Sequence, residues 1–398
     1  ARVSEVNPGH FEAAESLFRA GFLAYNLGRY DDSLTYWNAI IQLPVPGSAD
    51  KSRANYWLAA ASAAIGDADS AAVYRNAAAQ ADPFDYYGMR AESQMDGVAR
   101  FPSISALPTE GAPNWTAVET WLKSWAGPEP ASATPKPAAS GSPTATTAPS
   151  PDDLYARGLE LLNAGFTDLA DQQFRAILDD NSDSPWVEYR MLRQISALDR
   201  PTVTAPAAEQ FANSHAGAPP ELLQIAFPLA YSNLAQKEAA DNGFSPFLLL
   251  ALVRQESTYD PGATAGANDT GLTQVIPDTA NEIARQLGDT NFKQADLLRP
   301  NVALRYGAHY LATSLTAFDG VLPPAIAGYN AGPGTAAGWW ETAGADPDLF
   351  LETIDFQGTQ TYVKHVLEYY ALYLYAYGLT DAPVLPLDVG NDSPVSLG

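Results

Sequence analysis

Pro246-Phe247-Leu248-Leu249-Leu250-Ala251-Leu252-Val253-Arg254-Gln255-Glu256-Ser257 is an almost unbroken apolar run that closes on a glutamate. Ser245 stands where a helix N-cap belongs, Pro246 suits the first turn because that position needs no N–H partner, and Asp260-Pro261 is placed to end the helix soon after the glutamate. A helix apolar on every side from 247 to 253 is a buried helix. Counting back by three, four and seven residues, Glu256 shares its face with Val253, Leu252 and Leu249. Such neighbours disfavour a carboxylate, which is how a carboxyl becomes a general acid near neutral pH. A glutamate that has merely reached water at a helix end is the competing reading, and the segments downstream decide against it.

The first of these is Gly266-Ala267-Asn268-Asp269-Thr270-Gly271-Leu272-Thr273-Gln274-Val275-Ile276-Pro277-Asp278-Thr279-Ala280, a glycine-rich turn, an apolar stretch and a Pro-Asp-Thr helix start. Gly271 permits a backbone approach that a side chain would block, and Gln274 offers donors and an acceptor to an amide or a sugar hydroxyl. The second is Ala327-Gly328-Tyr329-Asn330-Ala331-Gly332-Pro333-Gly334, where small residues and a Gly-Pro-Gly turn expose one aromatic and one amide side chain. An aromatic face packs on a pyranose while an amide satisfies its hydroxyls, so this grouping suits a carbohydrate groove.

In this order the segments resemble the catalytic domain of bacterial soluble lytic transglycosylases, lysozyme-like enzymes that cut the peptidoglycan glycan strand. The resemblance rests on the helix ending Glu-Ser, Gly-Leu-x-Gln-x-x-Pro-x-Thr-Ala at 271–280, Tyr-Asn-Ala-Gly-Pro-Gly at 329–334, and Tyr-Val-Lys-x-Val at 362–366. It implies Glu256 as catalytic general acid/base. It also implies a substrate-binding set of Ser257, Gly271, Leu272, Thr273, Gln274, Tyr329, Asn330 and Tyr362. Four ordered matches are specific where any one alone would be weak. Three departures bear on saccharide contacts. Asn268-Asp269-Thr270 stands where the family usually has a single residue, Thr273 replaces a frequent methionine, and Gly358-Thr359-Gln360-Thr361-Tyr362 lacks the carboxylate of the family's usual Glu-Thr-Arg.

The implied chemistry needs one carboxyl. Ordinary glycosidases use two, one to protonate the leaving oxygen and one to attack or to activate water. In the family, the C6 hydroxyl of N-acetylmuramic acid (MurNAc) attacks its own C1 and leaves a 1,6-anhydro end. An intramolecular hydroxyl can reach an effective molarity on the order of 10⁵ M or more, so water is outcompeted. Two rivals remain at this stage: a hydrolytic muramidase similar to the goose-type lysozymes, and a non-catalytic glycan-binding scaffold of the cell wall.

Composition narrows the partners. A formal charge of −24 argues against binding nucleic acid through a basic surface. With no cysteine there is neither a disulfide framework nor a thiolate nucleophile. No apolar run of about 18 residues and no signal peptide at Ala1 are visible, so the chain reads as lacking a transmembrane segment. The expected location is extracytoplasmic, in the periplasm, the cell wall or the medium, and a removed leader or anchor is compatible with it. His10, His215, His309 and His365 lack ligand spacing, and 179–183 lacks the glycine and the glutamate of a calcium loop. No metal and no cofactor are expected.

Ahead of the catalytic segment, residues 11–43, 51–82 and 152–180 read as helical hairpins turning at Gly28-Arg29-Tyr30-Asp31, Gly66-Asp67-Ala68-Asp69 and Gly165-Phe166-Thr167-Asp168. In each, the glycine ends one helix and the aspartate caps the next. They resemble tetratricopeptide-type repeats, which bury their faces by stacking and offer a surface to cell-wall protein partners. The expected fold is mainly α, an N-terminal α-superhelical, tetratricopeptide-like region followed by a lysozyme-like catalytic domain. The expected division is 1–126 repeats, 127–151 a Pro/Ala/Ser/Thr-rich linker, 152–221 repeats, 222–385 catalytic domain and 386–398 tail.

Overall fold

Three glycine corners set the helical pattern in the computed structural model, which describes residues 12–98, 101–102, 104, 106–108, 114–130 and 149–387. Gly28, Gly66 and Gly165 all take positive φ, a conformation open to a residue without Cβ. Each ends the first helix of an expected hairpin: Ala13–Asn26 with Tyr30–Ile41, Ser48–Ala64 with Ala68–Ala81, and Pro151–Asn163 with Thr167–Asp180. The aspartates differ from expectation. Asp31, Asp69 and Asp168 lie inside the first turn, where a negative charge suits the helix N-terminus. The side-chain cap of the second hairpin comes instead from Asp67, which accepts from Ser70 N at 3.0 Å.

Two compact units are drawn from stretches far apart in sequence. One comprises Ala1–Ile104, Tyr310–Tyr375 and Leu379–Gly398, the other Ser105–His309 and Ala376–Gly378. In the first, Phe18, Trp37 and Trp57 form an aromatic core, with Trp37 Nε1 donating to Phe18 O at 3.2 Å. A buried set of charges joins its early helices to Pro347–Thr353. Arg53 meets Glu352 and also Glu15 at 2.8 Å, Arg90 forks onto Asp348 at 2.8 and 2.9 Å, Tyr87 donates to Glu352, and Tyr56 donates to Asp348 at 2.7 Å.

In the second unit, Trp121 and Trp186 donate to Ala216 O and Gly127 O, each at 3.1 Å, tying the helix Trp115–Ala126 to later ones. Arg200 forks onto Asp171 at 2.8 and 2.6 Å. The bridges Thr264–Thr270 and Thr270–Val275 are isolated, so helices dominate the described residues and the fold is mainly α. Residues 131–148 of the Pro/Ala/Ser/Thr-rich stretch, and 388–398 of the tail, lie outside the described residues. Ser150 caps the helix that follows, accepting from Asp153 N at 3.1 Å. No described helix is long and apolar enough to cross a membrane.

Candidate active site

The helix Pro246–Ser257 is buried at every residue from Pro246 to Arg254. Leu249, Leu252 and Val253, the neighbours of Glu256 on its face, are each 0% exposed, whereas Glu256 itself is half-buried. Glu256 therefore follows directly on the fully buried part of its helix, with apolar side chains behind it on its own face. Both ends of the helix differ from the sequence expectation. Ser245 has cap backbone geometry, but its hydroxyl makes no capping bond and is buried without a partner. Termination comes earlier than Asp260-Pro261, at Thr258 and Tyr259, both left-handed with φ of 49° and 64°. Non-glycine residues there cost on the order of 1 kcal/mol or more each. The corner is held by Ser257 Oγ, which is 3.1 Å from Val253 O and 3.0 Å from Leu272 O, so it links the end of the helix to the 271–274 stretch.

Arg254 carries a role that the sequence reading missed. It is 4% exposed, pairs with Glu209 and lies 4.9 Å from the Phe227 ring centroid. The available signal was a charged residue on a helix buried all round, a position that demands a partner.

The 271–274 stretch is positioned by packing. Gly271 has φ of +75°, and a Cβ there would overlap the carbonyl of Leu297. Leu272 and Thr273 are 0% exposed, and Thr273 Oγ1 donates to Ala303 O at 2.9 Å. Their side chains face the interior, which leaves Gln274 and the main chain as the parts of this stretch able to reach a ligand. Gln274 Nε2 donates to Ala263 O at 3.0 Å and Gly271 O at 2.7 Å, so Oε1 is the end of the amide left to accept. The rebuilt loop is pinned by Gln294, whose Nε2 lies 3.2 Å from both Asn268 O and Thr270 Oγ1 and 3.1 Å from Val275 O.

Tyr329, Asn330 and Tyr362 belong to the other unit. Tyr329 is 8% exposed with its ring 5.0 Å from that of Tyr310, and burial raises the Tyr310 pKa. Asn330 is exposed, and its Oδ1 accepts from Thr359 Oγ1 at 2.7 Å. Tyr362 lies buried one turn beyond Thr359 on the helix Gln357–Ala376. Within each unit the expected residues fall together: Glu256, Ser257, Gly271, Leu272, Thr273 and Gln274 in one, and Tyr329, Asn330 and Tyr362 in the other. Of the histidines, His309 bonds Gln286 Oε1 at 2.8 Å, while His215 stacks on Trp125. Among the described residues, no group of three or more His, Cys, Asp or Glu is arranged to hold a metal.

The chain thus carries a half-buried glutamate near the end of a buried helix, in a mainly α fold with helical hairpins ahead of it in sequence. Residues 233–349 match the family described as Transglycosylase SLT domain, and the same part of the chain is similar to soluble lytic murein transglycosylases. A soluble lytic murein transglycosylase of Salmonella typhimurium is 33% identical over 163 residues, 40% of this chain and 25% of that protein. One from Escherichia coli strain K12 is 33% identical over 166 residues, 41% of this chain and 25% of that protein. The match thus spans about a quarter of these relatives' length. An inactive mutant of lytic transglycosylase Slt from Pseudomonas aeruginosa shares the fold, with a TM-score of 0.69, 23% identity and coverage of 98% of this chain and 55% of that one.

Proposed function

We propose that this chain cleaves the β-1,4 bond between MurNAc and N-acetylglucosamine in peptidoglycan without water, leaving a 1,6-anhydroMurNAc end. The observation that carries the reading is Glu256, half-buried in the last turn of a helix buried from Pro246 to Arg254 and inside the stretch that matches the transglycosylase domain. Its acid form protonates the glycosidic oxygen as the bond to C1 breaks. Its carboxylate then takes the proton of the C6 hydroxyl as that oxygen closes on C1, which returns the acid and consumes no water. Gln274 in the one unit, with Ser257, Gly271, Leu272 and Thr273 shaping its surroundings, and Tyr329, Asn330 and Tyr362 in the other are proposed as glycan contacts. The catalytic domain is taken as 222–385, and the hairpins before it as a surface for cell-wall partners. Action on peptidoglycan places the protein outside the cytoplasm.

Mass spectrometry of digested peptidoglycan tests the reaction. An anhydro end is lighter than a hydrolysed one by one water. Products ending only in reducing sugars would replace this reading with a hydrolytic muramidase, and no product at all would leave a glycan-binding scaffold.

A further inference from the structure

We infer that Thr359 is a positioning residue that sets which way the Asn330 amide faces, and so which kind of atom the glycan must present to it. This rests on the glycan reading above. Thr359 Oγ1 donates to Asn330 Oδ1 at 2.7 Å, a well-formed hydrogen bond. Thr359 is 5% exposed whereas Asn330 is exposed, so the bond runs from the interior outward and holds the carbonyl end of the amide inward. The planar amide then turns Nδ2 the other way and presents two N–H donors. A substrate atom meeting Asn330 must be an acceptor oxygen, such as an acetamido carbonyl or a sugar oxygen.

The helix that carries the donor is itself anchored. Gln360 Nε2, the next residue, donates to Leu351 O at 2.8 Å, and Glu368 on the same helix accepts from Tyr86 N at 2.9 Å. An exposed amide at the end of the helix Leu322–Ala331 would otherwise sample several rotamers and both flips, and fixing it beforehand lowers the entropy cost of binding.

Thr359→Val exchanges the hydroxyl for a methyl of similar size. We expect KM for uncross-linked peptidoglycan strands to rise by about tenfold, the scale of one lost hydrogen bond, with kcat changed by no more than about threefold. Thr359→Ser restores the donor and returns KM to within about twofold of wild type. Asn330→Asp turns the outward donors into an acceptor and raises KM at least as far, and the double variant is no worse than Asn330→Asp alone. An unchanged KM in Thr359→Val overturns the inference. So does a joint fall of kcat, affinity and melting temperature that serine fails to rescue, since that is a packing role. Thr359→Ala carries the same test should the valine variant fail to fold. Calorimetry with a muramyl tetrasaccharide in a Glu256→Gln background separates this from the reaction: loss of binding on adding Thr359→Val supports the amide argument even if no anhydro product forms.

Discussion

Glutamine at position 256 keeps the shape of the side chain and loses the proton it must give and recover. Glu256→Gln should therefore lower cleavage by at least about 10²-fold while thermal melting stays at the wild-type value. Turnover near wild type in that variant would end the acid/base assignment. A second carboxyl makes a prediction of its own. Glu188 is 4% exposed on the helix Pro185–Ser196, and burial, followed by the charge of Asp179, pushes its pKa up from 4.5 to about 8. Between those values the folded chain keeps a proton that the unfolded chain has lost, so this group's contribution to stability falls as pH rises. Glu188→Gln removes that loss. Its melting temperature should equal wild type near pH 4 and exceed it by about 2 °C or more at pH 8. A constant difference across that range would show Glu188 to be ionised in the folded chain. At this scale the sequence displayed the apolar face behind Glu256, because helical spacing carries it. It did not display the inward turn of Leu272 and Thr273, since burial in an irregular stretch follows no period.

Helical hairpins were legible because their corners are written locally, in Gly66 and Gly165, whereas the contacts that press the two helices of a pair together were not. Gly158 lies on the helix Pro151–Asn163, and a Cβ there would overlap the ring of Phe174, which is 0% exposed on the paired helix Thr167–Asp180. Gly21 meets Trp37 in the same way in the first hairpin, and the aromatic follows the glycine at the same spacing in both. Alanine is the better helix former by about 1 kcal/mol, so propensity alone predicts that Gly158→Ala stabilises. Overlap should win, because the ring is enclosed and forcing a methyl into a packed core costs about 1–3 kcal/mol. We expect a lower urea midpoint with an unchanged slope. A midpoint above that of wild type would mean that the two helices separate freely enough to admit the methyl group.

The grouping of the first unit could not be read from the chain, since no periodicity connects residues 299 positions apart such as Arg53 and Glu352. The Glu352 side chain is 2% exposed and that of Arg53 is 14% exposed. Burial pushes the Glu352 carboxyl up, but Arg53, Lys364 and the Tyr87 hydroxyl together outweigh it and hold the pKa below its ordinary 4.5. A carboxyl depressed on folding contributes stability that is complete above its unfolded pKa and is lost as the pH falls through the folded one, so the pair is intact at neutral pH and fails in acid. Removing one partner of a buried pair leaves the other charge unmatched and costs about 3–5 kcal/mol, whereas replacing both with apolar groups can be nearly neutral. Glu352→Gln should therefore destabilise the protein strongly at pH 7, and the combined Arg53→Met, Glu352→Leu variant should be the more stable of the two. Acid titration adds a check on the sign, because the gap between wild type and Glu352→Gln should close as the pH drops below the carboxylate range. Denaturation curves at pH 7 in which Glu352→Gln unfolds with wild type would show that hydrophobic packing alone joins the early helices to Pro347–Thr353.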